Sequence, residues 1–515
     1  MSLRESNIAE GEGDPKGEIL SYLSGEDVAL DEKLIIYDIL GMEAHCLMLW
    51  RAKLLSGRDL RNILRALVKA EESWRQGSFK LSKESEDVHM SLENFVISEA
   101  GEESGGMMHL ARSRNDQVQA DTRMYLRDAI NNMAEDLLNL IEAIIGRARG
   151  GLWAVMPSYT HTQPAQPITF AHWCLAHVDA LLRDTERLEE VYKRVNLNPL
   201  GAAAISGVGL PIDRWVTTRL LGFDGIQENT LDVVTSRGEV ESELLAALSI
   251  LMVHLSRMAE DIILWSTPEF NMVSLGDEFT TSSSLMPQKR NPDVAELVRG
   301  RTGRLFGELV SILSILKGLP SGYNRDSQET KPPLFRGVEL VSPTLKVMGA
   351  MVDTLKINKD RMLKLAGANF TTATDLVEFI VTKKGLPFRK AYSLVSILVR
   401  DALSGGKELD PEVLMGIARE TIGREIKISQ DELSKALDPL RSVERRTHIG
   451  GPAPDEVERM IDDRQGTLTK KREVLSMRRR KISGSLDTLR EVVRAVLDDQ
   501  MDSAMNTLIE RSEEA

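Results

Sequence analysis

Aromatic residues make up only 5% of this 515-residue chain, and cysteine occurs twice, as Cys46 and Cys174. Sheets draw on aromatic and β-branched side chains, so their scarcity beside abundant Leu, Ala, Glu, Arg and Met predicts a mostly α protein. Two cysteines are too few for a disulfide framework, and residues 1–16 are polar and Gly-rich without an apolar signal core. Both features point to a reducing cytoplasm. No run approaches the roughly 18 apolar residues that a membrane span needs. Positive charge is not in excess either: the net charge of −13 repels nucleic acid and anionic membrane, so an anionic ligand must be met by a local cluster of Lys and Arg. The phosphate-binding loop, the serine-hydrolase elbow and the H-E-x-x-H zinc helix are all missing. His172 and His177 lie five apart with no nearby Cys or Glu partner, so neither a metal nor a cofactor is expected.

What is present is helical patterning on a large scale. The 42% hydrophobic content can supply an extensive core, and the length suggests roughly three domains or one elongated helical architecture. Leu126, Ile130, Met133, Leu137, Leu140 and Ile144 follow one another at alternating steps of four and three, which is a heptad seam. The spacing returns at Leu244, Leu248, Leu251, Leu255, Met258 and Ile262, and again at Leu305, Leu309, Ile312 and Leu316. Such stripes need partner helices, and spacing alone does not say whether the same chain or another supplies them. Asn291 reads as an N-cap, with Pro292 at the first helical position, Asp293 complementing the dipole, and Gly318 and Pro320 as stops. Breaks at Gly150-Gly151, around Pro157 to Pro167 and at Asn198-Pro199 separate further helices. A charged stretch of helical composition follows Met460, and no repeat of fixed period is present.

Four polar segments interrupt the pattern. His109-Leu-Ala-Arg-Ser-Arg-Asn-Asp-Gln117 offers guanidinium groups and amides suited to carboxylates. In Tyr159-Thr-His-Thr-Gln-Pro-Ala-Gln-Pro167, His161 sits among hydroxyls and amides on a proline-stiffened backbone and could move protons, although a single histidine is more often structural. In Ser282-Ser-Ser-Leu-Met-Pro-Gln-Lys289 a serine could act as a base only if its alkoxide is stabilised, and Lys289 with the following helix N-terminus could do that; a flexible linker is the plainer reading. In Tyr323-Asn-Arg-Asp-Ser-Gln-Glu-Thr-Lys331, the side chains Tyr323, Gln328 and Lys331 either face one ligand or form a solvated turn.

Together these segments resemble the aspartase/fumarase superfamily in its argininosuccinate lyase form, on the strength of S-S-L-M-P-Q-K-R-N-P at Ser283 to Pro292. Agreement extends to Glu86-Asp-Val-His89, R-S-R-N-D-Q-V at Arg112 to Val118, Y-T-H-T-Q-P-A-Q-P at Tyr159, and K-G-L-P-S-G-Y-N-R-D-S-Q-E at Lys317 to Glu329. It also includes L-D-P-L-R-S-V-E-R-R-T-H-I-G-G at Leu437 to Gly451, so it covers roughly residues 30 to 460. The resemblance implies an all-α, three-domain chain whose long central helical bundle forms the core of a tetramer. Its parts would be an N-terminal helical domain (1–115), the central bundle (116–365) and a small C-terminal helical domain (366–460), followed here by a charged helical tail (461–515). The implied activity is cleavage of argininosuccinate to arginine and fumarate by a homotetramer with shared active sites. The implied catalytic residues are His161 and Ser283, with Lys289 and Asn291 beside the serine; substrate contacts fall on Ser113, Arg114, Asn115, Thr160, Tyr323, Gln328 and Lys331.

Three departures stand out: an N-terminal Trp-Gly-Gly-Arg-Phe element is absent, Ala202-Ala203 replaces a Ser-Gly pair, and the tail is longer than the family needs. The first leaves an N-terminal substrate contact unassigned, Ser24 fitting only with a gap. The second is expected to alter loop flexibility, and the third to be dispensable for chemistry. Ser283 as base and His161 as acid is the reading adopted; the reverse stays open at this level. Gln288 and the R-S-R-N-D-Q segment argue against an adenylosuccinate lyase-like relative, and the presence of both His161 and Ser283 against a non-catalytic, crystallin-like one.

Overall fold

The computed structural model describes residues 19, 22–23, 25–81, 87–405 and 410–513; residues 1–16, Ser24 and Glu86 lie outside them. Helices dominate. α1 (Ile35–Arg51), α2 (Gly57–Arg75) and α3 (Val88–Ala100) pack together ahead of a bundle of α4 (Arg114–Gly150), α5 (Phe170–Val195), α6 (Glu239–Trp265), α7 (Asp293–Leu316) and α8 (Lys331–Thr354). α9 (Ala373–Lys384), α10 (Phe388–Gly405), α11 (Pro411–Ile422) and α12 (Gln430–Leu437) surround their own small apolar core. α13 (Pro454–Leu497) and α14 (Met501–Glu513) complete the chain. Extended structure among the described residues is confined to two-stranded pairs, the largest being the antiparallel hairpin of β1 (Val155–Thr160) and β2 (Gln163–Thr169).

Local chemistry explains the helix ends. Ser113 and Asp116 form a reciprocal capping box at the start of α4, each side chain accepting from the other's end of the first turn. Gly151 closes α4, and a β-carbon there would stand 2.7 Å from Phe170 Cδ1, so only glycine lets the chain double back into α5. α7 begins differently from the sequence expectation. Pro292, not Asn291, is its N-cap, because Asn291 is already held in a two-residue ladder opposite Thr281.

The three heptad seams are filled within the chain. All six positions from Leu126 to Ile144, all six from Leu244 to Ile262, and Leu305 and Ile312 are buried in one continuous core. α4 and α5 run antiparallel, as the bond from Arg123 Nη1 to the Arg194 carbonyl shows (2.7 Å), and α6 and α7 do the same. The bundle therefore has two distinct ends. The starts of α4, α6 and α8 and the end of α7 lie at one; the hairpin, the end of α6 and the start of α7 lie at the other.

The tail is part of this architecture. α13 crosses position 460 without a break and presents Leu468, Leu475, Ile482, Leu489 and Val496, seven residues apart, as a buried stripe. Its first half joins the bundle core; Leu489, Val492, Val493 and Val496, with Ala504 and Leu508 of α14, join the core of α1 and α2. Basic residues pair with acids on the bundle surface: Arg464 with Asp179, Lys471 with Glu189, Arg472 with Glu142 and Arg479 with Glu135. A dispensable appendage would not be built this way.

Candidate active site

At the end of the bundle where α4 starts, a cavity of about 280 Å³ opens between Arg114 and Asn115 on α4, Asp87 and His89 at the start of α3, Arg237 before α6, and the segment carrying Tyr323, Arg325, Gln328 and Lys331. Five of the residues singled out by sequence, Arg114, Asn115, Tyr323, Gln328 and Lys331, thus share one wall space, which removes the solvated-turn reading of the last segment. Arg114 Nη1 lies 3.2 Å from Asp87 Oδ2, and the Arg237 guanidinium stands 5.6 Å from the Tyr323 ring centre. Lys331 is buried, with Nζ 2.6 Å from Asp31 and 3.5 Å from Asp27. Burial, seconded by Asp31, pushes the Asp27 carboxyl up against the pull of Lys331. Four cations around one cavity in a chain of net charge −13 create a local positive field of the kind that suits carboxylates.

The floor of the cavity is a buried ionic cluster. His89 Nδ1 lies 3.1 Å from Asp38 Oδ2 and 3.6 Å from Asp121 Oδ2, without hydrogen-bond alignment in either case. Burial pulls the imidazole down, but Asp38, Asp87 and Asp121 outweigh it and carry it up to about 9. Burial raises Asp38 too, yet His89 and Arg112 hold it below the usual range, whereas Asp121 is pushed well up by burial and by Asp38. Among the described residues these three are a group whose ligand atoms converge as a metal site requires, all within 4.8 Å. The imidazole lies between the two carboxylates as an ion pair beside the cavity. Asp38, Asp121 and Arg237 had no signal of their own in the sequence; Asp87 and His89 lay in a quoted motif without being assigned a role.

Ser113 stands beside the cavity as the α4 cap, its Oγ accepting from Asn115 N at 3.3 Å. Asn115 Nδ2 donates to the Ala204 carbonyl (2.9 Å), and Asp116 Oδ2 accepts from Gly201 N (2.9 Å) and Ala203 N (2.8 Å). The Ala202-Ala203 loop is therefore clamped onto the start of α4, with both alanines buried, rather than loosened.

The remaining sequence candidates are elsewhere. Thr160 and His161 occupy the exposed tip of the hairpin, where His161 (φ 54°) and Thr162 (φ 58°) form a two-residue turn in the left-handed region. Glycine or asparagine normally fills such a turn, and a β-branched residue there is a genuine outlier. α4, 37 residues long, separates this tip from the cavity by about 55 Å. Ser283, Lys289 and Asn291 sit in the loop before α7, whose 24 residues span about 36 Å before the chain reaches Tyr323. The Ser283 hydroxyl oxygen accepts two amide N–H bonds, from Leu285 (3.2 Å) and Met286 (3.0 Å). That support comes from the loop itself, not from the helix N-terminus ten residues on.

The helical architecture and its cation-lined cavity are those of a lyase of the aspartase/fumarase type. A family profile for lyases matches residues 21–307, and one for the argininosuccinate lyase C-terminal region matches residues 370–444. The argininosuccinate lyase of Methanothrix thermoacetophila is 42% identical over 96% of this chain and 99% of its own length, and that of Methanothermobacter thermautotrophicus 40% identical over 92% and 100%. Among solved structures, an EDDS lyase variant with bound fumarate superposes with a TM-score of 0.83 at 31% identity, covering 95% of this chain and 97% of that one. The chain belongs to the argininosuccinate lyase family.

Proposed function

We infer that the protein cleaves argininosuccinate into arginine and fumarate, the arginine-forming step of arginine biosynthesis, with active sites shared between the chains of a cytoplasmic homotetramer. The observation that carries the shared site is the separation of the functional segments. One chain holds its carboxylate cavity at one end of the bundle and the Ser283 loop and His161 tip at the other, and nothing within the described residues bridges them. No described helix is long and apolar enough to cross a membrane, and both free cysteines are buried.

An unfilled face supports assembly. Phe306, Val310 and Leu313 on α7, with Ile250, Val253 and Leu264 on α6, are exposed apolar side chains distinct from the buried seams. Gly300, Gly303 and Gly307 lie along one side of α7 with nothing within 4 Å of where a β-carbon would be. Interior glycines cost a helix about 1 kcal/mol each, and no packing inside the chain uses them. A second copy of α7 laid against that side would use them, and would bring opposite bundle ends together.

In the mechanism, the substrate's carboxylates are held by Arg114, Arg237, Arg325 and Lys331, with Asn115, Tyr323 and Gln328 fixing orientation. Ser283, its alkoxide supported by two amides and by Lys289, takes the proton from the succinyl carbon next to a carboxylate. Charge gathers on that carboxylate, where Lys289 and Asn291 of the same loop stabilise it. The C–N bond then breaks; its electron pair stays on the guanidinium nitrogen, which receives a proton from His161, and a carbon–carbon double bond forms in fumarate. Thr160 contacts the substrate beside His161, and Ser113 presents the start of α4.

Complementation tests this directly. Arg114→Ala and Ser283→Ala chains, one altered in the cavity and one in the loop at the other end of the bundle, each nearly inactive, are denatured, mixed and refolded, and fumarate release is measured. Random assortment restores about a quarter of the sites if the two residues come from different subunits. Confirmed hetero-tetramers without activity would show that one chain supplies both.

A further inference from the structure

α13 borders, together with the short helix Arg214–Leu220, a second, half-open cavity of about 460 Å³ on the flank of the molecule, separate from the residues of the proposed active site. Its walls combine an aromatic face with basic and hydroxyl groups. Trp215 is 46% exposed and lies under the Arg219 guanidinium at 5.6 Å; Arg480, Ser485 and Thr488 face the same space from α13.

The charges of this region are not all used in docking the tail. Within the basic run of α13, Arg478 stacks on Tyr192 (4.3 Å), Arg479 pairs with Glu135, and Lys481 pairs with Asp224 at the cavity rim. Arg480 meets no carboxylate among the described residues, and neither does Arg219. Two guanidinium groups left without counter-ions in a chain of net charge −13 create a local field that favours a multiply charged anion. Gly484 leaves open space on the α13 side, with nothing within 4 Å of a β-carbon position. The volume exceeds what an inorganic anion fills and lies in the range of small-molecule sites.

We propose that this cavity binds a phosphorylated metabolite carrying a planar ring, of nucleoside monophosphate size, with the phosphate on Arg219 and Arg480 and the ring against Trp215. The site depends on the long tail, because Arg480, Ser485 and Thr488 all lie beyond residue 460. It sits where the tail meets the bundle, so occupancy also ties α13 to the Arg214–Leu220 helix.

Calorimetric titration of the full-length protein with adenosine monophosphate, inorganic phosphate and adenosine tests the assignment. Saturable binding of the nucleotide is expected, with adenosine and phosphate each much weaker. Arg480→Ala, which breaks no ion pair and should keep the wild-type thermal midpoint, should weaken nucleotide binding by about tenfold or more, as removal of a charge-assisted contact does. Arg219→Ala should do the same, and saturating argininosuccinate should not displace the nucleotide. No saturable binding at millimolar nucleotide, phosphate binding as tightly as the nucleotide, unchanged affinity in Arg480→Ala, or displacement by argininosuccinate would each overturn the proposal.

Discussion

Deleting the chain after Asp463 removes most of α13 and all of α14. If the tail were an appendage, the remainder would stay folded and active. The packing says otherwise. Leu468, Leu475, Ile482, Leu489, Val492, Val493, Val496 and Leu508 are 0–7% exposed. At about 1.5–3 kcal/mol for each buried aliphatic side chain, their burial amounts to roughly 12–24 kcal/mol before the entropy of ordering the tail is subtracted. Their partners on α1, α2, α4 and α5 would be exposed by the same cut. Against a typical net stability of about 5–15 kcal/mol, this predicts an aggregating product. A graded version avoids reliance on a failed preparation. Leu489→Ala, at a fully buried position, should cost about 2–5 kcal/mol in chemical denaturation, whereas Lys470→Ala on the exposed side should cost nothing measurable. A truncated chain that is soluble, tetrameric and active with an unchanged unfolding midpoint would refute the reasoning, as would Leu489→Ala at wild-type stability.

Ser283→Ala should lower kcat far more than it raises KM, because the hydroxyl acts in the transition state; a near-normal kcat would remove Ser283 as the base. Lys331→Met leaves Asp27 and Asp31 buried without their cation and should cost about 3–5 kcal/mol, together with substrate affinity; a variant with wild-type stability would show the pair to be otherwise neutralised. Thr162→Gly relieves the left-handed turn but removes the bond from Thr162 Oγ1 to the His161 carbonyl (2.6 Å), so stability should change by no more than about 1 kcal/mol; a clearly larger loss would show that the threonine side chain makes a further contact with a partner. Burial, reinforced by Glu71, pushes Glu43 up to about 8 from its usual 4.5, so the folded chain keeps a proton that the unfolded chain has released, and stability falls as pH rises across that interval. His89, carried to about 9 from 6.5, contributes fully below 6.5 and loses its contribution through 9. The thermal midpoint should therefore fall from pH 6.5 to 9, and Glu43→Gln should raise it at pH 8; a midpoint that is flat across this range, or unmoved by the substitution, would contradict the burial argument.

Much of this molecule is determined by sequence alone because its signals are local. Heptad spacing within α4, α6 and α7 and the glycines at 150 and 151 depend only on neighbours along one helix, and they predict long helices. The polar segments at residues 112–118, 159–167, 283–292 and 317–329 are likewise contiguous motifs; each is weak alone, and together they carry the resemblance to the argininosuccinate lyase family before any fold is known. Tertiary structure decided what periodicity leaves open. A seam from Leu126 to Ile144 looks the same whether its partner is internal or external, and only packing shows that it is filled within the chain while Phe306, Val310 and Leu313 are not. The same holds for the tail, whose high charge masks a seven-residue apolar stripe until α4 and α5 supply the acids that meet its Arg and Lys. Asp38, His89 and Asp121 come from three helices far apart in sequence, so their mutual electrostatics exist only once α1, α3 and α4 are packed. The division of the candidate site between opposite ends of the bundle is legible in part: long helical stretches between the motifs set the distance that separates them, and only the packed directions of α4 and α7 decide which of them can meet within one chain.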